Sequence, residues 1–256
     1  MFTIPLYDDN PTRRTPVVTY GLMIACAIVF FWQLSLGPEA NAVVYALGVI
    51  PAVLFREARL DPDLYLVPGW MSVFTSMFLH GGWLHLLGNM LYLWIFGNNV
   101  EEALGRARFL VFYLACGAVA ALAHSLAAPD SVIPMIGASG AIGGVLGAYL
   151  MLHPRANVYI MIVVFVFVRI ISVPAALVLG LWFVMQFISG ATTPTAEGGV
   201  AFWAHVGGFV AGAILVPLMK RPGVRLFGRA HSRAFEMQRP SAVRRRRAPS
   251  AGARHL

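Results

Sequence analysis

Ser139 stands in the string Gly137-Ala138-Ser139-Gly140, at the head of a small-residue apolar run that ends at Leu152. A serine hydroxyl becomes a nucleophile when a nearby base takes its proton. The candidate base is His205, set in the later apolar run Val200 to Met219 and followed by Gly208 and Gly212. On a helix those three residues lie at i, i+3 and i+7, on one face. Ser139, Gly143 and Gly147 form a second stripe of the same kind. Facing stripes of small residues let two helix backbones approach closely, which would carry the serine hydroxyl to the imidazole. Ser139 also opens its helix, where unpaired N–H groups and the positive end of the dipole suit a developing oxyanion. The plainer readings are a helix-contact face for the Gly-Ala-Ser-Gly string and an interhelical hydrogen bond for His205.

A third cluster, His80-Gly-Gly-Trp-Leu-His85-Leu-Leu-Gly-Asn89, opens another apolar stretch. His85 and Asn89 are i, i+4 neighbours on one helix face, and their N–H groups could hold an oxyanion. Convergence of His80, His85 and His205 on a metal ion is the rival reading. It lacks an intramembrane carboxylate or thiolate to complete the ligand set, and the string is not His-Glu-x-x-His. No Asp or Glu falls inside the assigned apolar runs, since Glu101 and Glu102 lie beyond the far end of the second. Chemistry here would run on a Ser-His dyad without the acid of a triad, and packing must orient the imidazole. No cofactor is expected.

Such groups need a frame that excludes water, and the composition supplies one. Of the 256 residues 59% are hydrophobic and 12% charged, against roughly 45–50% and 25% in soluble domains. Mean hydropathy is +0.73. A water-soluble globule, a disordered chain and a disulfide-stapled chain are excluded, and the expectation is an all-α membrane protein. Apolar runs mark spans at Val17–Leu36, Gly82–Phe96, Phe109–Ala127, Ser139–Leu152, Pro174–Ser189 and Val200–Met219. Val158–Ser172 is read as interfacial or re-entrant, because Arg169 interrupts it and Pro174 suits the first turn of a helix. Six spans put both termini on one side. That side is cytoplasmic, since Arg13, Arg14, Arg106, Arg108, Arg155 and the basic tail then all lie inside.

The chain thus divides into a cytoplasmic N-terminal segment (1–16), a six-helix membrane domain (17–221) and a basic, disordered cytoplasmic tail (222–256) with the run Arg244 to Arg247. The net charge of +8 is read as positive-inside topology and contact with the lipid bilayer, with no nucleic-acid partner. Cys26 and Cys116 sit in apolar runs as packing residues. Val17–Leu36 exceeds the roughly 7–15 apolar residues of a signal peptide and is read as a retained span. The lack of an organelle-type presequence points to a bacterial inner membrane.

Together, Gly137-Ala138-Ser139-Gly140, Ala204-His205-x-x-Gly208-x-x-x-Gly212 and His85-x-x-x-Asn89 preceded by His80 resemble the rhomboid intramembrane serine proteases. Glu101-x-x-x-Gly105 is similar to that family's cytoplasmic loop motif. The resemblance covers about residues 17 to 220. It implies a six-helix bundle of rhomboid type with a water-accessible cavity opening outside, Ser139 as nucleophile and His205 as general base. It also implies an oxyanion hole made by the Ser139 backbone N–H with the His85 and Asn89 side chains, supported by His80. The 37–69 loop would be the family's half-submerged first loop and span five a mobile lateral gate. Substrates would be single-span membrane proteins cut near the outer end of their helix.

Some relatives carry a tyrosine four residues after the nucleophile, packed on the histidine ring; Gly143 stands there in this chain. Another group must then hold His205. A non-catalytic relative that binds membrane helices is the alternative function. A transporter would show paired half-helices or charges in symmetric halves, and the sequence has neither. Physiological substrate and oligomeric state are not written in it.

Overall fold

The computed structural model of the chain describes residues 2–193 and 200–228. A strand, β1 (Phe2–Asp8), precedes the apolar helix α1 (Val17–Ser35). The connection that follows folds into three short helices, α2 (Ala40–Leu47), α3 (Pro51–Leu54) and α4 (Gly69–Thr75). Next come α5 (Trp83–Leu104), α6 (Arg106–Ala127) and α7 (Ser139–Leu152). A hairpin of β2 (Asn157–Val164) and β3 (Phe167–Pro174) leads into α8 (Ala175–Thr192), and α9 (Phe202–Met219) follows. Among the described residues four helices, α1, α6, α8 and α9, are long and apolar enough to cross a membrane. The other two expected spans also form as helices, with α5 continuing beyond Phe96 to Leu104 and α7 being short at 14 residues.

The all-α expectation needs a correction. Val158–Ser172, read from the sequence as interfacial or re-entrant, is not helical. It makes most of an antiparallel hairpin, to which the N-terminal strand adds in the order β1-β2-β3. The run is rich in Val, Ile, Phe and Tyr, which favour a pleated backbone over a helix. The N-terminal segment is thereby tied to the membrane domain. Asp8 Oδ2 accepts from the Tyr149 hydroxyl of α7 and from Asn99 Nδ2 of α5 at 3.0 Å. Asn10 Nδ2 donates to Asn99 Oδ1 at 2.8 Å, and Asn157 donates to both Asp9 carboxylate oxygens.

Burial pushes the Asp8 carboxyl up from 3.8 to about 6, against the lowering effect of the Tyr149 hydroxyl. The folded protein therefore holds this proton through a pH range in which the unfolded chain has released it. The contribution of this one group to stability is greatest below about pH 4 and is lost as pH rises through about 6. Thermal unfolding in detergent at pH 5 and pH 8 is expected to show a Tm loss for the wild type that Asp8→Asn, neutral throughout, does not share. An equal loss in both would remove Asp8 as its source.

Glu101 is buried and caps α1. Its carboxylate accepts from the N–H groups of Val18 and Thr19 at 3.0 and 2.8 Å and from the Thr19 hydroxyl at 2.8 Å. Carboxylate oxygens that accept from unpaired N–H groups at the positive end of a helix dipole account for a carboxyl buried at this place. Gly105, at φ 85°, makes the turn from α5 to α6. Beyond α9, Phe227 and Gly228 donate their N–H groups to the carbonyls of Met151 and Leu152, pairing the last turn of α7. The rest of the expected tail, 229–256, lies outside the described residues.

Eleven of the 14 residues of α7 are buried, which makes it the innermost helix. It meets α9 backbone to backbone. A Cβ on Gly208 would sit 2.0 Å from the Gly140 oxygen, and one on Gly212 would sit 1.9 Å from the Gly144 oxygen.

Candidate functional site

The approach to Ser139 is pinned on two sides. Met135 and Val49 exchange backbone hydrogen bonds at 3.0 and 2.7 Å, and the Gly137 N–H donates to the Ser76 oxygen at 2.9 Å. Gly137 has φ 120°, and a Cβ there would meet His85 Nε2 at 2.5 Å. Glycine is thus required both by the backbone and by the close approach of His85. Ser139 is the first residue of α7, where the N–H groups have no acceptor within the helix.

The tight α7–α9 contact brings the two sequence motifs together. His205, in the first turn of α9, has Nε2 2.8 Å from Ser139 Oγ. Its Nδ1 lies 2.7 Å from Gln186 Oε1 on α8. The Trp182 ring, one turn earlier on α8, lies 5.7 Å from the imidazole and 6.1 Å from Phe209. A Cβ on Gly143 would sit 3.0 Å from the His205 carbonyl oxygen. The fit is tight for any side chain there, and the groups that meet the imidazole ring from its other side come from α8. Sequence reasoning missed Gln186 and Trp182. The available signal was an amide inside an otherwise apolar span, which is expensive there without a partner.

His85 Nδ1 accepts the Gly81 N–H at 3.3 Å, which leaves the proton on Nε2, the nitrogen facing Gly137. Asn89 is buried, and its Nδ2 has no hydrogen-bond partner. Both line a cavity of 660 Å³ together with Ser139, His205, Trp182 and His124 of α6. His80 packs edge-on against His85 at 5.1 Å, with Nδ1 3.2 Å from the Phe78 oxygen and its N–H on Gln33 Oε1 at 3.0 Å. No group of three or more His, Cys, Asp or Glu among the described residues is placed to hold a metal ion.

The rhomboid domain model matches residues 68–222, more than half of the chain and every residue of this cavity. The chain belongs to the rhomboid family. Over 137 residues it is 36% identical to rhomboid protease GluP of Bacillus subtilis (strain 168), covering 53% of this chain and 24% of that protein. It is 31% identical to Rhomboid protein 1, mitochondrial, of Saccharomyces cerevisiae over 211 residues, 78% of this chain and 53% of that one. A third relative is Rhomboid-like protein 11, chloroplastic, of Arabidopsis thaliana, 36% identical over 105 residues, 40% of this chain and 37% of that one. The matched stretch spans between 24% and 63% of the length of the curated relatives. Family membership and the apolar helices make this a multi-pass membrane protein.

Proposed function

We propose that the protein is an intramembrane serine endopeptidase that cleaves single-span membrane proteins near the outer end of their transmembrane helix. The observation that carries this reading is the 2.8 Å contact of Ser139 Oγ with His205 Nε2 at the wall of a cavity that also holds an unpaired amide donor. Ser139 Oγ attacks the scissile carbonyl while His205 Nε2 takes its proton. The tetrahedral oxyanion is held by the Ser139 N–H, the His85 Nε2–H and Asn89 Nδ2. His205 then returns the proton to the leaving amine, giving an acyl-enzyme. Water, deprotonated by the same nitrogen, hydrolyses it.

His80 supports His85, Gly137 admits it, and Gly208 and Gly212 allow the helix contact. Six spans with both termini cytoplasmic, a domain of residues 17–221 and a bacterial inner membrane complete the reading. Relatives named as mitochondrial and chloroplastic make the membrane itself a matter for localisation.

A serine-directed fluorophosphonate tests the dyad without a known substrate. Intact mass is expected to rise by one adduct on the wild type and on neither Ser139→Ala nor His205→Ala. A wild type that stays unlabelled in detergent and in liposomes would favour the non-catalytic, helix-binding relative. Asn89→Ala removes one oxyanion donor and is expected to lower kcat for a helix substrate by about 10²–10³-fold with folding preserved. Turnover at the wild-type rate would take Asn89 out of the oxyanion hole.

A further inference from the structure

We infer that Gln186 is the positioning residue that sets the tautomer of His205, so that the base is oriented from α8, the least embedded of the four membrane-length helices among the described residues. The inference rests on the dyad reading above. An amide oxygen only accepts, so at 2.7 Å from Gln186 Oε1 the His205 Nδ1 must carry the proton. Nε2 is then left with its lone pair, directed at the Ser139 hydroxyl 2.8 Å away. This is the tautomer that can take the serine proton. The other would present an N–H to Ser139 and could not. When His205 becomes charged, the same Nδ1–H bond persists as a charge-assisted one. A neutral amide does this without placing a carboxylate among apolar helices.

The two α8 groups that meet the ring, Gln186 and Trp182, lie on one face of that helix. Trp182, Gln186 and Gly190 are successive i, i+4 neighbours, and that face meets α9 through Phe183–Phe209 stacking at 4.6 Å and Phe187–Trp203 at 5.8 Å. The opposite face, with Leu177, Leu181, Val184, Met185 and Ile188, is exposed. Only 17% of the apolar window of α8 is buried, against 39% for α9 and 44% for α6. The tautomer of the base is therefore set by a helix held in place along a single face.

The test compares Gln186→Met, of similar length but without the acceptor, and Gln186→Glu, which keeps it. Three readouts are taken: fluorophosphonate labelling rate, kcat and KM for a helix substrate, and the imidazole ¹⁵N shifts of His205, assigned by difference from His205→Asn. Gln186→Met is expected to lower labelling and kcat by about 10–100-fold, to leave KM within about twofold, and to lose the Nδ1–H tautomer. Gln186→Glu is expected to retain that tautomer and to label within about threefold of wild type. Labelling of Gln186→Met at the wild-type rate, or equal losses in both variants, would overturn the inference alone. A wild type that does not label overturns the dyad reading and this inference with it.

Discussion

Ser139→Ala and His205→Ala are each expected to lower turnover of a transmembrane substrate by about 10⁴–10⁶-fold, and the double variant by no more than either alone. The reason is that, on the proposed mechanism, the pair would act as a unit through one contact, Ser139 Oγ to His205 Nε2 at 2.8 Å. Without the hydroxyl there is no acyl transfer for the imidazole to assist. Without the imidazole the hydroxyl keeps its proton and is a poor nucleophile. On the proposed mechanism, what would survive in every case is the set of oxyanion donors assigned to His85, Asn89 and the Ser139 N–H, which would give the same small residual rate. Single-turnover cleavage of a model helix in liposomes checks this. Losses that multiply in the double variant would mean that the two residues act independently, which a dyad does not allow.

Gly212→Val is expected to destabilise the folded protein by about 3 kcal/mol or more, the upper end of overpacking effects. The added Cβ would stand 1.9 Å from the Gly144 oxygen and 2.5 Å from the Gly144 carbonyl carbon. Both are main chain, so no rotamer change relieves them. Ordinary contact requires α7 and α9 to part by about 1.5 Å. Ser139 and His205 each stand on one of those helices, so the same separation stretches their hydrogen bond out of range. Activity is thus expected to fall even in molecules that remain folded. Gly180→Ala is the control, because a Cβ there meets nothing within 4 Å. Thermal unfolding and labelling of the two variants side by side decide the matter. A Gly212→Val protein as stable as wild type would mean that the helix contact is looser than described.

That Ser139, His205 and Asn89 would meet around one cavity was legible because each lies at a helix start or on a one-sided stripe, features that depend only on local spacing. The 2.8 Å meeting of Ser139 and His205 follows from glycines that the sequence displays at regular intervals. Gln186 was not legible as a partner of His205. A single amide on an apolar helix has no periodic signature, and its role depends on how α8 is rotated against α9. The hairpin was hidden for a different reason. Its turn is Phe165-Val166, with Phe165 at φ 54°, and offers none of the glycine or asparagine that usually marks such a turn. Its third strand comes from the other end of the sequence, where Phe2–Asp8 is too short and too distant to announce a partner. Glu101 and Gly105 were noticed as a motif, but the capping of α1 is visible only once α5 and α1 lie side by side.

The hairpin also decides how α8 is held. β3 runs into α8 without a loop. The N–H groups of Ala175 and Ala176 are fastened to the carbonyls of Ala156 and Pro154 at 2.7 and 2.9 Å, with Ala175 fully buried. Were α8 to swing, that end would serve as the pivot and the remainder as the lever. At 1.5 Å per residue, Gln186 lies about 16 Å along it. A tilt of only about 10° about Ala175 would displace the amide by about 3 Å, enough to break its bond to the imidazole. Trp182, nearer the pivot, would travel about 2 Å. A modest swing of one helix would therefore release both restraints on His205, the amide before the indole.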